Sequence, residues 1–242
     1  MPLFCIPYAG GSAAVYRSWA EAMPRWLELQ PLHLPGRGRR IGVPPVARWS
    51  SLIDLLVDDV APMVKEPFGI FGHSMGALIG FELAHALRER LGVEPRWLGV
   101  SACVAPARRA YDDTWLTASR ERVIEQLRSF GGTPDVVLKE PELLDLLLPA
   151  LRADFHLCGT YRRRDREPLE AKVLVLGGSA DELSNPRENL MAWARETSGP
   201  FELKIFDGDH FFVEASRGDV VGAVAASFAD AVAACSAMCR ES

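Results

Sequence analysis

Positive charge is not in excess in this chain: 27 Lys and Arg face 32 Asp and Glu, for a formal net charge of -5. A general nucleic-acid binder carries a basic face, so no nucleic-acid partner is expected. No apolar run approaches the roughly 18 residues that a membrane-spanning helix requires, so no membrane partner is expected either. The opening stretch Met1-Pro2-Leu3-Phe4-Cys5-Ile6 has no basic n-region and reads directly as a strand. No secretory signal is expected, and the chain reads as cytoplasmic. Cysteine is scarce and odd in number: Cys5, Cys103, Cys158, Cys235 and Cys239. That argues against a disulfide framework and fits reduced thiols. Cys235 and Cys239 share one face of an expected helix without a second ligand pair, so no metal site is expected. Internal repeats, linkers and a second domain are also lacking. What remains is 242 residues, 48% hydrophobic and 24% charged, enough for one large α/β domain over 1–242 with a sizeable core.

One pentapeptide organises that domain. Gly72-His73-Ser74-Met75-Gly76 matches G-x-S-x-G, the nucleophile elbow. The apolar run Pro67–Phe71 before it predicts a buried strand, and Met75–Ala84 after it predicts a helix. A sharp strand-to-helix turn throws a serine hydroxyl out over a sheet and holds the serine backbone in a sparsely populated conformation. The helix N-terminus beneath it favours negative charge.

Further strands are expected at 2–6, 27–34, 97–103, 171–178 and 201–206. Helices are expected at 13–24, from Ser50 or Ser51 to Met63, at 186–196 and at 219–238. Strands alternating with helices at this spacing predict a mostly parallel sheet flanked by helices. The basic loop Pro35-Gly36-Arg37-Gly38-Arg39-Arg40 reads as a solvated loop ordered by arginine hydrogen bonds, with phosphate binding as the alternative. Residues 104–168 break the alternation, with helical patterns near 117–130 and 140–157 around Gly131-Gly132-Thr133-Pro134. A helical insertion at the carboxyl edge of a sheet serves as a lid. Its apolar residues, Leu147 and Phe155 among them, offer a surface to an acyl chain, and Gly131, Gly132 and Gly159 are expected to be its joints. Arg162-Arg163-Arg164 with Arg166 reads as a solvated charge run.

A serine nucleophile needs a base, and the base needs an orienting carboxylate. Ser74, Asp181 and His210 occur in the order Ser, acid, His that characterises α/β-hydrolases, and each follows a predicted strand. In a parallel sheet such loops gather at one edge, so three distant residues can meet. Among five histidines only His210 follows the last strand. Glu182 is the rival acid; Asp209 adjoins His210 too closely to reach its Nδ1. The oxyanion hole is expected from the backbone N–H of Met75 and that of Ala9, with Gly10 as substitute.

With these residues in place the chain resembles the type II thioesterases of polyketide and nonribosomal peptide pathways. The resemblance rests on Pro7–Gly11, Leu34-Pro35-Gly36-Arg37, Gly72–Gly76, Gly131–Pro134, the run Pro141–Phe155 with Tyr161, and Gly208–Phe212. It implies an α/β-hydrolase fold with a helical lid over 104–168. It also implies hydrolysis of acyl thioesters carried on the phosphopantetheine arm of acyl or peptidyl carrier proteins, with no cofactor of the enzyme's own, and a monomer. In synthase-fused relatives the acid follows an earlier strand; the equivalent place here, near Cys103, has no carboxylate, which favours Asp181. Two other functions fit the same residues: an oxyester hydrolase or acyltransferase, and a catalytically silent ligand-binding protein of the same fold.

Overall fold

The runs Pro2–Ile6, Gly69–His73, Trp97–Ser101 and Lys172–Gly178 are mostly apolar and lack polar alternation, the pattern of strands covered on both faces. A computed structural model describes residues 1–132, 138, 140–184 and 187–241, with side chains to residue 234. These runs form β1, β3, β4 and β5, and β2 (Glu28–Pro31) and β6 (Phe201–Phe206) complete the sheet. Its order among the described residues is β2-β1-β3-β4-β5-β6, with every pairing parallel.

Successive side chains point to opposite faces of a strand. On one face Phe4, Ile6, Ile70, Leu98, Val173 and Val175 pack with helices α2 (Trp49–Val60) and α3 (Met75–Leu91). On the other, Leu3, Cys5, Phe71, Trp97, Leu174 and Leu176 meet Val220, Val224 and Phe228 of the C-terminal helix. The remaining helices in chain order are α1 (Arg17–Ala20), α4 (Arg120–Phe130), α5 (Pro141–Thr160), α6 (Arg187–Met191), α7 (Phe212–Ala215) and α8 (Arg217–Glu241), the last being that C-terminal helix. Gly92, left-handed at φ 67, ends α3.

The helix expected over 13–24 is only a 3-10 turn, Ala13–Tyr16, followed by the single turn α1. Tyr16 and Trp19 are anchored against Phe71, and Pro24 stops any continuation. The strand expected over 27–34 contracts to four residues. Between β4 and β5 the described residues add no strand to the sheet. Instead α4 and α5 build a separate apolar cluster from Trp115, Val123, Leu127, Leu144, Leu148, Leu151 and Phe155. Helix α5 runs through Pro149 to Thr160, longer than the pattern predicted. Two glycines expected to be joints are instead points of close approach. A Cβ on Gly159, inside α5, would lie 2.0 Å from the Asp112 carbonyl oxygen, and one on Gly132 would lie 2.1 Å from the Phe211 ring. Thr133 and Pro134 lie outside the described residues.

The glycines differ sharply in tolerance. A Cβ on Gly76 would fall 2.1 Å from the Ile6 carbonyl oxygen, whereas Gly222, exposed on α8, has nothing within 4 Å. Gly76→Ala is expected to cost more than about 3 kcal/mol or to prevent folding. Gly222→Ala is expected to stabilise by about 0.5–1 kcal/mol. Urea unfolding of both variants checks the contrast; similar midpoints would contradict it.

Candidate active site

Ser74 sits between β3 and α3 at φ 55 and ψ -117, a costly conformation for a residue with a Cβ. Its surroundings impose it. The Ser74 N–H donates to the Ser101 carbonyl at 2.7 Å, and the Ser74 carbonyl accepts from the Ala77 N–H at 3.0 Å. A Cβ on Gly72 would lie 2.0 Å from the Gly76 carbonyl oxygen, so strand and helix approach too closely for any side chain there. The Ser74 hydroxyl is left half-buried at the carboxyl edge of the sheet.

The loops after β5 and β6 bring Asp181 and His210 to the same edge. Ser74 Oγ and His210 Nε2 are 3.0 Å apart, and His210 Nδ1 and Asp181 Oδ2 are 3.1 Å apart. Asp181 is buried, and it also accepts from the Ser184 hydroxyl at 2.6 Å and the Leu183 N–H at 3.0 Å. Burial pushes its carboxyl up, but the hydrogen bond and charge of His210, with those from Ser184 and Leu183, outweigh it and hold the group below the usual carboxylate range. The rival acids lie elsewhere. Glu182 is exposed, and Asp209 is exposed and accepts from the Phe211 N–H at 2.8 Å.

His210 is further confined by rings. Phe130, the last residue of α4, stacks on it with centroids 5.4 Å apart. His73 lies 5.2 Å away, buried, with its Nδ1 2.9 Å from Ser101 Oγ. Burial, and next the adjacent His210, hold His73 well below the ordinary histidine range, so it stays neutral. His85, mid-helix, accepts from Arg88 and is pushed down to about 3, mainly by burial. His33 and His156 are half-buried elsewhere.

A cavity of about 430 Å³ opens beside Ser74, lined also by Ala9, Met75, His210, Trp115, Phe130 and Phe155. The Ala9 and Met75 N–H groups have no acceptor among the described protein atoms. The Gly10 N–H, considered as a substitute for Ala9, does have one: it donates to Asp154 Oδ2 at 2.8 Å. A second, more apolar cavity of about 300 Å³ lies across Ala9 and Phe130, walled by Leu127, Leu144, Leu147 and Leu151. Leu147 therefore faces the second cavity and Phe155 the first.

The arginine loop departs from its expected reading at Arg37, while Gly38 and Arg39 are exposed and Arg40 donates to Asp59 at 2.7 Å. Arg37 is buried and paired with Asp154 of α5: its Nη1 donates to Oδ2, and its Nη2 donates to Oδ1 at 2.7 Å. Arg37 is thus neither solvated nor free to hold phosphate. The run at 162–166 is exposed at Arg162, Arg163 and Arg164, as expected, with Arg163 also on Glu196, Arg162 over the Tyr111 ring, and half-buried Arg166 on Glu82. Among the described residues no group of three or more His, Cys, Asp or Glu is placed to hold a metal. The side chains of Cys235 and Cys239 lie outside those described.

Sequence reasoning passed over Phe130, Ser184 and Asp154, and read Arg37 only as part of a solvated basic loop. Only Asp154 carried a signal. It stands among Leu151, Phe155 and Leu157 on an apolar helix stretch, and a carboxylate at such a position demands a partner.

The depressed Asp181 carboxyl sets a pH dependence. A group whose folded value lies below its unfolded value stabilises fully above the unfolded value, near about pH 4 for aspartate, and stops doing so as pH falls through the lower folded value. The melting-temperature gap between the native protein and Asp181→Asn is expected to be complete at neutral pH and to shrink below about pH 4. Thermal unfolding across that range tests it; a gap unchanged at about pH 3 would contradict the assignment.

Comparison with known proteins places the chain in a family. The thioesterase domain family model matches residues 1–228. Gramicidin S biosynthesis protein GrsT of Aneurinibacillus migulanus is 37% identical over 219 residues, covering 90% of this chain and 85% of that protein. The solved structure of RedJ, a thioesterase of the prodiginine biosynthetic pathway in Streptomyces coelicolor, is 33% identical with a TM-score of 0.87, covering 94% of this chain and 90% of that one. The type II thioesterase BorB of the borrelidin biosynthetic cluster is 34% identical with a TM-score of 0.85, covering 94% and 92%. Elbow, sheet topology and sequence likeness lead to one conclusion: the chain belongs to the thioesterase family of α/β-hydrolases, among the type II thioesterases of polyketide and nonribosomal peptide pathways.

Proposed function

We propose that this protein hydrolyses acyl thioesters borne on the phosphopantetheine arm of acyl or peptidyl carrier proteins, with Ser74 as nucleophile, and so clears stalled or aberrant acyl groups from a synthase. The observation that carries the reading is the chain of contacts from Ser74 Oγ to His210 Nε2 at 3.0 Å and from His210 Nδ1 to Asp181 at 3.1 Å, beside a cavity under the insertion.

Ser74 Oγ attacks the thioester carbonyl carbon as its proton passes to His210 Nε2. Asp181 accepts from Nδ1–H, keeps the imidazole in the productive tautomer and balances the imidazolium. The negative oxygen of the tetrahedral intermediate lies against the N–H groups of Met75 and Ala9. The C–S bond breaks, and the thiol leaves with the His210 proton. A water then gives a proton to His210 and attacks the acyl-serine carbonyl. The carboxylic acid leaves as the proton returns to Ser74. No step needs a cofactor of the enzyme's own. Residues 104–168 act in this reading as the lid of a single domain, and the acyl chain lies against Phe155 and Leu147.

Ser74→Ala is expected to lower turnover by about 10⁴-fold or more with folding retained. Asp181→Asn is expected to cost about 10³–10⁴-fold, and exposed Glu182→Gln little. Intact-mass analysis of a panel of acyl carrier proteins measures all three. Near-normal turnover by Ser74→Ala would end the proposal, and reversed effects of the acid variants would make Glu182 the orienter. Oxyesters and alcohol or amine acceptors run in parallel distinguish ester hydrolysis and acyl transfer.

The two cavities generate a second expectation. Changing Leu147 or Phe155 to a smaller or larger apolar residue should shift the acyl-length profile, while labelling of Ser74 by a very small phosphonate changes less. If the profile stays constant, or both rates fall together with the melting temperature, these side chains pack the insertion and do not select the substrate.

A further inference from the structure

We propose that Asp154 and Arg37 form a positioning device for the oxyanion loop, by which helix α5 of the insertion holds the Ala9 N–H over Ser74. The inference rests on the thioesterase reading of the site and adds to it two residues that do not touch the reacting atoms.

The loop Tyr8-Ala9-Gly10-Gly11 is a tight turn. The Gly11 N–H donates to the Tyr8 carbonyl at 2.9 Å, and Gly10 has φ 76, the arrangement of a type II turn. The central peptide of such a turn carries the Ala9 carbonyl and the Gly10 N–H, and the Ala9 N–H belongs to the peptide just before it, so fixing the turn at Gly10 fixes the backbone that carries the Ala9 N–H. Asp154 Oδ2 holds it by accepting the Gly10 N–H at 2.8 Å. Leu151, one turn earlier on α5, lies against the same loop; a Cβ on Gly10 would fall 2.7 Å from its Cδ2. The loop is therefore bonded at one point and packed at another by a single helix 144 residues away. Both contacts adjoin Ala9, whose own N–H is uncommitted.

A carboxylate in that place poses an electrostatic problem. Asp154 is buried, and its charge would repel the oxyanion that forms beside Ala9. Arg37 removes the problem. Its guanidinium is buried too, pairs with both carboxylate oxygens, and is held in plane by Nε donating to the Pro35 carbonyl at 3.2 Å. The pair keeps the hydrogen-bond acceptor and cancels its charge. The three segments that meet here, the first loop, the arginine loop and α5, are joined through one carboxylate, which pairs bidentately with Arg37 and accepts from Gly10.

The test separates the acceptor from the charges. In an Arg37→Met background, Asp154→Asn keeps an oxygen for the Gly10 N–H, whereas Asp154→Leu does not. Neither double variant buries an unpaired charge. D154L/R37M is expected to lose about 10²-fold in kcat on an acyl carrier thioester, the scale of an ångström-sized misplacement, with KM nearly unchanged. D154N/R37M is expected to recover most of that loss at a comparable melting temperature. Affinity for an alkyl trifluoromethyl ketone, which adds to Ser74 and places an oxyanion in the same site, should fall in step with kcat. If D154L/R37M does not fold, D154S/R37M, with a side chain too short to reach Gly10, takes its place. Equal kcat and equal ketone affinity in the two double variants would overturn the proposal, as would losses that follow the melting temperature alone. If the native protein leaves thioesters intact, the thioesterase reading fails separately, because ketone affinity still reports on the loop.

Discussion

Everything at the site depends on how closely β3 and α3 approach at Gly72 and Gly76. Those two positions have no room for a Cβ, and Ser74 between them is forced to φ 55. Strain of this kind persists only where neighbours over-determine it. The neighbours here are backbone groups of β1 and β4, the Ile6 and Ser101 carbonyls. The sheet therefore does more than carry the serine. Its adjacent strands press the turn into the one conformation that lifts the hydroxyl over the edge.

Parallel pairing then assembles the other groups. Each strand delivers its following loop to the same edge, and Asp181 and His210 arrive from β5 and β6. What refines their meeting is local. Ser184 and the Leu183 N–H hold the Asp181 carboxylate as a hydrogen-bond acceptor, and Phe130 and Phe211 confine the His210 ring. Phe130 reaches His210 from the insertion, so the insertion belongs to the site's packing.

The insertion is tied down at its C-terminal half. Asp154 binds Arg37 and Gly10, and Tyr161 donates to Glu82 of α3 at 2.8 Å. Burial, and next the Glu82 carboxylate, push the Tyr161 hydroxyl far above its ordinary range, so it stays a donor. These contacts put the end of α5 in the body of the domain. Gly159, where a Cβ would fall 2.0 Å from the Asp112 carbonyl oxygen, is a packing point within the insertion.

The alternating order of elements, the elbow and the convergence of Ser74 and His210 at one sheet edge were legible in the sequence for physical reasons. Buried parallel strands are continuous apolar runs, Gly-x-Ser-x-Gly states its own steric requirement, and loops after parallel strands must converge. The limits of helix 13–24 were not legible, since periodicity cannot register that Tyr16 and Trp19 lock onto Phe71 and cut the helix to a turn. The sequence also left Asp181 and Glu182 unresolved. Adjacent carboxylates differ only in which one the loop turns inward, and Ser184 and His210 decide that in three dimensions. The fate of Arg37 was likewise invisible. An arginine after Pro-Gly looks solvated until a helix more than a hundred residues later brings a buried carboxylate to it. Composition and pattern report what a residue prefers, and only the tertiary structure decides which distant partner satisfies the charge.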